Sequence, residues 1–305
     1  MVKKRMASFQ NYLNGVKKMP SGDLIKISGG NFYVKDKGKV IICHASGKLR
    51  DFKVIPLAGD RVIYEELEND KGYIKGIEKR KNSLLRPAVS NIDQALIVTS
   101  LKDPDFSSYL LEKLILQVID NDIKPIVYFS KVDKVNINDY IKYIDYYRSI
   151  GIDCYYGNSL ALENKKVLEE IFKGKKTILT GQSGAGKSTL LNSLDSTLNL
   201  KTSDISYSLG RGKHTTREVE FMEICSGLVA DTPGFSSLKL DIDSLRLACI
   251  YPGFESFSEC KFRGCLHDKE IGCKIKEKVQ NEEILRESYE NYLRLLKDIS
   301  GGKKI

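Results

Sequence analysis

The segment from Gly181 to Ser188 has the residue types and the spacing that a phosphate-binding loop requires. It reads Gly181-Gln182-Ser183-Gly184-Ala185-Gly186-Lys187-Ser188 and matches the pattern G-x-x-x-x-G-K-[ST] at every fixed position. Its glycines let backbone N–H groups approach phosphate oxygens, while Lys187 supplies a positive charge and the Ser188 hydroxyl suits Mg²⁺. An apolar run precedes the loop and a helical pattern follows it, so we predict that the loop and the adjoining Thr189 bind a nucleotide.

Two downstream segments have the chemistry to sense the outermost phosphate of that nucleotide. An apolar run ends in a D-x-x-G pattern, in which Asp231 can hold the metal ion through water and the Gly234 N–H can meet the γ-phosphate. Between the two motifs lies a polar loop, 210–217, that contains Thr215 and Thr216. A threonine there can complete the Mg²⁺ shell when a triphosphate is bound, and we favour Thr216 for this role.

A base-reading motif precedes the phosphate loop instead of following it. The apolar run 126–129 leads into Ser130-Lys131-Val132-Asp133, which is similar to [NT]-K-x-D with serine in the first position. Asp133 can accept hydrogen bonds from the guanine N1–H and N2–H₂ groups, and the aliphatic stem of Lys131 can lie over the base. The downstream K-x-D match near the sheet, 239–241, follows the D-x-x-G motif too closely to leave room for a strand and a helix. We therefore predict a GTP site in a sheet whose elements are reordered along the chain, which is possible because domain termini often lie close together.

Four side chains near the C-terminus have the types and the density of a zinc site. The pattern Cys260-x₄-Cys265-x-His267-x₅-Cys273 supplies three thiols and one imidazole. Zn²⁺ takes four sulfur or nitrogen ligands in a tetrahedron, and a complete set of protein ligands leaves no position for a reacting water. We therefore predict one structural zinc ion. The remaining cysteines, which lack partners at such spacing, are interpreted as buried apolar residues: Cys43, Cys154, Cys225 and Cys249.

The elements that carry these motifs divide the chain into three predicted domains, and the first is a barrel. Residues 1–78 contain five short runs rich in Ile, Val and Tyr, separated by turn signals such as Gly29-Gly30. Five short strands predict either an OB-fold, which commonly binds oligonucleotides, or an SH3-like barrel. The five predicted strands are 23–28, 31–36, 39–44, 60–67 and 73–78.

The second and third predicted domains carry the nucleotide motifs and the cysteine cluster. Residues 79–238 alternate strand and helix patterns, which predicts a parallel sheet with helices on both faces. Residues 239–305 combine the Cys/His-rich stretch with a polar helix over 281–299. The predicted fold class is thus a multidomain α/β protein. In the second domain the predicted strands are 92–100, 126–129, 152–156 and 177–180, and the predicted helices are 109–122, 140–149 and 167–172.

The charge of the chain favours a polyanionic partner. Lysine and arginine number 49 against 40 acidic residues, which gives a formal net charge of +9 and a pI of about 9.0. Such an excess is typical of proteins that bind nucleic acid or an anionic membrane surface, although a soluble basic enzyme has a similar composition. No run approaches the roughly eighteen apolar residues that span a bilayer. We expect a cytoplasmic protein with no membrane partner, whose cysteines are reduced thiols or metal ligands.

With these motifs in place, the chain resembles the RsgA family of circularly permuted GTPases that act in ribosome assembly. Outside the nucleotide motifs, the resemblance rests on the segments 59–62 (GDRV), 80–87 (RKNSLLRP) and 91–94 (NIDQ). It implies an N-terminal OB-fold, a circularly permuted P-loop GTPase domain and a C-terminal zinc-binding domain. It also implies GTP or GDP with Mg²⁺, one Zn²⁺, and the small ribosomal subunit with its rRNA as a partner during late maturation. We expect the protein to act as a monomer.

Two positions depart from what is usual in such enzymes. The segment 156–159, where a second base-contacting motif is expected, lacks the usual Ser-Ala pattern. The position after D-x-x-G, where many GTPases carry a glutamine that orients the attacking water, is occupied by Phe235. The resemblance places His214 in the first switch, and a histidine can orient or deprotonate water near neutral pH. We interpret His214 as the catalytic residue, with contact to RNA as the alternative.

These residues bear on three possible functions. The leading interpretation is an enzyme that hydrolyses GTP to GDP and phosphate and is stimulated by the small subunit. The alternative is a nucleotide-switched RNA-binding protein in which hydrolysis is incidental; Phe235 favours that alternative, whereas His214 favours the enzyme. A P-loop ATPase is disfavoured by Asp133, which is suited to guanine.

Overall fold

The structure is a computed structural model that describes residues 19–51, 54–85, 87–158, 165–195, 198, 219–231 and 240–301. At four positions it describes the backbone alone: Lys48, Arg50, Leu85 and Asp231. Within the described ranges, no helix is both long enough and apolar enough to cross a membrane.

Alternating apolar residues close the N-terminal strands into a barrel. Its strand order is β1-β2-β3-β5-β4, and the ring closes through antiparallel pairing of β1 with β4. Every second side chain points inward, where Leu24, Val34 and Ile74 are fully buried. Because β5 inserts between β3 and β4, the order is that of an OB-like Greek key, and the SH3-like alternative is set aside. The elements are β1 Ser21–Ser28, β2 Asn31–Asp36, β3 Lys39–Ala45, α1 Gly47–Asp51, β4 Arg61–Glu66 and β5 Lys71–Ile77.

A buried ion pair fixes the segment that leaves the barrel. The Asp60 carboxylate, fully buried, accepts hydrogen bonds from Arg80 Nε at 2.7 Å, from Arg80 Nη2 at 2.8 Å and from the Ser90 hydroxyl at 2.5 Å. Gly59 has a φ of +96°, and a Cβ at this position would lie 2.0 Å from the Ser90 carbonyl oxygen, so only glycine fits. The same region contains a short hairpin that the sequence did not predict, formed by β6 Ser83–Leu85 and β7 Ala88–Ser90.

The central sheet carries the nucleotide motifs. Its six strands follow the order β10-β9-β8-β11-β13-β12. The β8–β9 and β9–β10 pairs are parallel, as predicted, but the edge strand β12 is antiparallel to β13. A two-residue turn, Cys225-Ser226, joins β12 to β13, and so short a connection permits only antiparallel pairing. The strands are β8 Gln94–Ser100, β9 Lys124–Ser130, β10 Asp153–Gly157, β11 Lys176–Gly181, β12 Phe221–Ile224 and β13 Gly227–Asp231.

Helices follow the parallel strands and continue into the cysteine-rich part. The polar helix predicted over 281–299 begins later, at Arg286, because α7 ends at Gln280 and Glu282 adopts a φ of +61° between the two helices. The four cysteines outside the cluster were not all buried as predicted: Cys225 is half-buried in its turn, and Cys249 is exposed on α6. The helices are α2 Ser108–Asp120, α3 Ile141–Ser149, α4 Lys165–Phe172, α5 Lys187–Leu194, α6 Ser244–Ile250, α7 Lys274–Gln280 and α8 Arg286–Gly301.

The described residues group into two compact units. The first contains the barrel, the β6–β7 hairpin, residues 166–178 and the β12–β13 hairpin. The second contains β8, β9 and β10 with their helices, residues 179–195, and residues 240–301. The boundaries of the three predicted domains, 1–78, 79–238 and 239–305, stay a prediction.

Candidate functional site

The phosphate loop connects the end of β11 to the start of α5. Gly181 has a φ of +135°, and a Cβ there would lie 2.0 Å from the carbonyl oxygen of Val98 on β8, so the first position of the loop tolerates only glycine. Gly186, with a φ of +94°, is the residue from which α5 begins. Lys187 Nζ donates hydrogen bonds to the carbonyl oxygens of Gly181 at 2.9 Å and Gln182 at 2.7 Å. The lysine charge is therefore held against the loop, and Ser188 is buried beside it.

The base-reading motif lies against the phosphate loop although about fifty residues separate the two along the chain. Ser130, the last residue of β9, is fully buried, and its hydroxyl donates to the Ala185 carbonyl oxygen at 2.6 Å. Lys131, in the left-handed conformation at a φ of 59°, places Nζ at 2.7 Å from the Gly184 carbonyl oxygen. Serine in place of the usual Asn or Thr thus still provides a hydrogen bond between the two motifs.

A loop after β8 supports the same arrangement and was not identified from the sequence. Lys131 Nζ also donates to the Asp103 carbonyl oxygen, and the Asp103 carboxylate pairs with Lys134 at 2.8 Å. The hydrogen bond from Lys134 lowers the pKa of Asp103. The pKa of Lys131 is lowered mainly by partial burial and secondly by the nearby positive charge of Lys134. The ring of Phe106 packs on Phe129 of β9 at a centroid distance of 5.9 Å. Only the turn signal Asp103-Pro104-Asp105 marks this loop in the sequence.

The second base-contacting segment has the expected position despite its unusual sequence. Gly157, the last residue of β10, is paired with Ser130 in the parallel β9–β10 register. Residues 156–158 therefore lie at the end of β10, beside the base-reading motif, while Ser159 lies outside the described residues. The parallel register brings this segment beside the base-reading motif, and a role in contacting the base stays a prediction.

Several predicted site residues fall outside the part of the chain that the structure describes. They are His214, Thr216 and Gly234, together with Thr215 and Phe235. Asp231 is the last residue of β13, and only its backbone is described. Asp133 lies in a single 3₁₀ turn, Val132–Lys134, directly after Lys131, and is exposed.

The four predicted metal ligands converge. The ligand atoms of Cys260, Cys265, His267 and Cys273 all lie within 4.8 Å of one another. The Cys260 and Cys273 Sγ atoms are 4.0 Å apart, and His267 Nδ1 lies 3.6 Å and 3.3 Å from them, respectively. A tetrahedral zinc ion with Zn–S bonds of about 2.3 Å would separate two sulfurs by about 3.8 Å. The donor set and the distances fit Zn²⁺.

Hydrogen bonds involving the neighbouring helices hold the chain around the metal ligands. Tyr289 of α8 donates to the His267 carbonyl oxygen at 2.6 Å, and the Lys274 N–H points to Cys260 Sγ at 3.4 Å. Burial lowers the pKa of His267, which favours the neutral imidazole that binds metal. These contacts hold the His267 backbone against α8 and the Cys260 thiol against the start of α7.

A buried carboxylate ties the C-terminal helices to α2 within the second unit. Glu112 is fully buried and accepts hydrogen bonds from Tyr147 at 2.9 Å, from Tyr251 at 2.6 Å and from Asn291 at 2.8 Å. Burial raises the pKa of this carboxyl group although hydrogen bonds from four neighbours, namely these three and Ser288, stabilise the charge. The network therefore connects α2 and α3 to the segment that carries the metal ligands.

Comparison with known proteins identifies the architecture. Residues 21–74 match the model of the RsgA N-terminal domain, and residues 77–241 match that of the RsgA GTPase. A protein of Bacillus subtilis (strain 168) named small ribosomal subunit biogenesis GTPase RsgA is 43% identical over 296 residues, covering 93% of this chain and 99% of that protein. A protein of Oceanobacillus iheyensis named small ribosomal subunit biogenesis GTPase RsgA 2 is 44% identical over 293 residues, with the same coverage of both chains.

Solved structures give the same result. The crystal structure of YloQ, described as a circularly permuted GTPase, has a TM-score of 0.81 at 37% identity and covers 94% of this chain and 97% of its own. The structure of YjeQ from Thermotoga maritima has a TM-score of 0.80 at 29% identity, covering 92% and 98%. The predicted fold class, a barrel followed by a permuted GTPase domain and a region compatible with zinc, is confirmed. The chain belongs to the RsgA family of circularly permuted GTPases.

Proposed function

We propose that this GTPase binds GTP between the phosphate loop and the base-reading motif, and hydrolyses it while bound to the small ribosomal subunit. The observation that carries the nucleotide site is the pair of hydrogen bonds from Ser130 and Lys131 to the loop carbonyl groups. Through the protein's own hydrogen bonds, they set the separation between the residues for the base and those for the phosphates. Such preorganisation favours one ligand geometry.

Each residue of the site then has a role that follows from its chemistry. Lys187 and the loop N–H groups neutralise and orient the outer phosphates, and Ser188 is the hydroxyl ligand suited to Mg²⁺. Asp133 accepts from the guanine donors, while the Lys131 stem lies over the base. Mg²⁺, when bound, stabilises charge on the transferring phosphoryl group. The nucleotide contacts also include Gln182, Ser183, Gly184, Ala185, Gly186, Val132 and Thr189.

The residues that complete hydrolysis lie on the switch segments. We infer that Thr216 and Asp231 complete the metal shell and that the Gly234 N–H senses the γ-phosphate. Phe235 has no side-chain hydrogen bond to offer, so His214 orients the attacking water. His214→Ala should lower turnover and spare GTP affinity, since its contact forms only in the transition state. An equal loss of GTP affinity would instead assign His214 to the structure of the switch.

The metal cluster has a structural role in this proposal. Cys260, Cys265, His267 and Cys273 supply all four ligands of one Zn²⁺, which leaves no open position for a substrate. Zn²⁺, when bound, fixes the loop between α6 and α7.

The partner is proposed from the names of the relatives and from the charge of the chain. A net charge of +9 favours binding to RNA phosphates through the release of counterions. We infer that the protein binds the small subunit and its rRNA as a monomer in the cytoplasm and assists late maturation. The subunit would accelerate hydrolysis by fixing His214 beside the water.

The test measures binding and turnover together. The protein is sedimented with small subunits in a non-hydrolysable GTP analogue and in GDP, and phosphate release is measured with and without subunits. We expect co-sedimentation to be stronger with the analogue and to weaken at higher salt, together with faster phosphate release. Binding without acceleration would favour the nucleotide-switched RNA-binding protein, and the absence of both effects would refute a role on the subunit.

A further inference from the structure

The strand that follows the first predicted switch is attached to the N-terminal barrel. Strand β12 is the edge strand of the central sheet, and Glu220 lies directly before it in the chain. The backbone of Glu220 forms an antiparallel bridge with Lys26 of β1. On its other side Lys26 is paired with Tyr33 of β2, so strand pairing continues from the barrel to the residue that leads into the β12–β13 hairpin.

The edge of β1 is open at the point where Glu220 joins it. The pairing of β1 with β4 ends at Asp23, and the register of β1 against β2 shifts between Leu24 and Lys26. A bulge of this kind bends a strand and re-aims the residues beside it. Lys26 therefore pairs with Glu220 along an edge that β4 no longer occupies.

Two ion pairs connect the barrel to the same strand. Lys26 Nζ lies 2.7 Å from Glu220 Oε2, and each of these side chains is 29% exposed. Lys35 of β2 pairs with Glu223 of β12. Partial burial shields the first pair from solvent, so salt screens it less than it screens an exposed pair. The barrel thus holds β12 at its start and again within the strand.

The end of the hairpin that the barrel holds is the end from which both predicted switches continue. Phe221 is paired with Ala230, so Glu220 and Asp231 lie at the same end of the β12–β13 hairpin. Along the chain, Glu220 follows the loop 210–217 closely, and Asp231 begins the D-x-x-G motif. A displacement of this end would therefore move the metal-binding residues that we propose on both segments.

We propose that Lys26 and Glu220 form a positioning pair, through which the barrel holds the β12–β13 hairpin in the arrangement that GTP hydrolysis requires. The inference rests on the proposed function, in which Thr216 and Asp231 complete the metal shell. The pair acts through the hairpin and not on the nucleotide. Misplacement of a reacting group by about 1 Å can lower a rate about 100-fold, so a remote pair can control turnover. GDP has no γ-phosphate for the switches to meet, so its affinity should not depend on the pair.

Charge reversal tests the pair. Lys26→Glu places a second carboxylate beside Glu220, and like charges about 4 Å apart in water repel by about 1 kcal/mol, a factor of roughly five. We expect turnover of the full-length protein, measured as phosphate release without a partner, to fall by roughly 5- to 100-fold. GDP affinity in calorimetry should be unchanged. The double variant Lys26→Glu with Glu220→Lys restores an ion pair and should recover turnover.

A second ion pair of the barrel provides the matched control. Lys75 of β5 lies 2.5 Å from Glu65 of β4, and neither strand is paired with β12. Lys75→Glu reverses a charge in the same barrel and reproduces any general loss of stability, which thermal unfolding measures. Its turnover should equal that of the parent. Equal losses of turnover in Lys75→Glu and Lys26→Glu would overturn the proposal.

Two further outcomes would also overturn the proposal. One is a fall in GDP affinity as large as the fall in turnover, which would show general damage to the nucleotide site. The other is a double variant that folds and does not recover turnover. If Lys26→Glu fails to fold, Lys26→Met replaces it, because methionine keeps an unbranched apolar stem and removes the charge. Lys26→Met should also lower turnover at constant GDP affinity, and unchanged turnover would refute the positioning role.

His214→Ala separates this inference from the proposed function, and neither measurement requires the ribosomal partner. If His214→Ala lowers turnover and Lys26→Glu does not, the pair has no positioning role and the proposed function stands. If Lys26→Glu lowers turnover, the double variant recovers it and His214→Ala has no effect, then the positioning pair stands and the proposed catalytic residue is wrong.

Discussion

The hydrogen bond from Ser130 to the phosphate loop gives the sharpest test of how the site is assembled. In Ser130→Ala the Ala185 carbonyl oxygen loses the donor that lies 2.6 Å away. Both residues are fully buried, so water does not readily replace that donor. Leaving a buried acceptor without a partner costs about 1–3 kcal/mol. We expect the free energy of unfolding of this part of the chain to fall by that amount.

A nearby residue supplies a matched control. Thr180 immediately precedes the loop and is 2% exposed. Its hydroxyl forms no hydrogen bond with any described residue. Thr180→Val removes that hydroxyl and keeps the shape of the side chain. Since no hydrogen bond is lost, stability should be unchanged or higher. Ser130→Thr, which keeps the hydroxyl, should remain close to the parent.

Thermal unfolding with and without GDP measures both effects. At about 2–4 °C per kcal/mol, Ser130→Ala should melt roughly 2–12 °C below the parent. Because Ser130 contacts the backbone of the loop, its loss should lower GDP affinity by less than it lowers stability. The reasoning is refuted if Ser130→Ala has the same melting temperature as the parent, or if Thr180→Val loses as much stability as Ser130→Ala.

Four further predictions follow from the site and its supports. Lys187→Ala should weaken GTP binding in calorimetry by roughly 10- to 150-fold, because hydrogen bonds to charged groups contribute about 1.5–3 kcal/mol; unchanged affinity would remove the phosphate-loop assignment. Asp133→Asn should lower the affinity for GTP and raise that for xanthosine triphosphate, because the C2 oxygen of xanthine accepts a hydrogen bond from the new amide. A retained preference for GTP in competition binding would place the base motif elsewhere. Metal analysis should find about one zinc per chain, and Cys265→Ser should lose it and expose the C-terminal region to protease; zinc-free protein with intact thiols would contradict this. Burial raises the pKa of Glu112, so the folded state keeps its proton to higher pH than the unfolded chain and loses relative stability as pH rises through that range. The difference in melting temperature between Glu112→Gln and the parent should therefore move in favour of the variant as pH rises, and a constant difference would show that Glu112 titrates normally.

The sequence was sufficient where a local pattern determines the structure. Short runs rich in Ile, Val and Tyr, separated by turn signals, predicted the five barrel strands. The phosphate loop was predictable because Gly181 has a steric requirement that no other residue meets. The cysteine cluster was predictable because metal binding needs four ligands close together. The upstream position of the base motif followed from exclusion, since no room was left downstream.

The remaining features depend on contacts between residues distant in sequence. The loop that carries Asp103 supports the base motif through a backbone carbonyl group, which no side-chain pattern reveals. The edge strand β12 was not predicted, and its antiparallel direction could not be inferred because the alternation of strand and helix indicates direction only where a helix intervenes. In the sequence, Glu112 has the pattern of an ordinary polar position on α2. Only the packing of α3 and α8 against it shows that it is buried.

The segments outside the nucleotide motifs that carried the family resemblance have a structural explanation. Asn82 exchanges two hydrogen bonds with the backbone of Ile92, each 2.8 Å long, and Asn91 donates to the Gly59 carbonyl oxygen at 3.1 Å. Lys176 donates to that same oxygen at 2.7 Å through its ammonium group.

These bonds act at the start of β11 rather than at its catalytic end. The Lys176 N–H donates to the Asp93 carboxylate at 2.8 Å, and the Asp93 N–H donates to the Lys176 carbonyl oxygen at 2.9 Å. Lys176 begins the strand that ends in Gly181, the first residue of the phosphate loop. Segments of this kind identify an architecture, because the described side chains in them hold backbone in place. The activity must therefore be argued from the loop, from the base motif and from the two hydrogen bonds that join them.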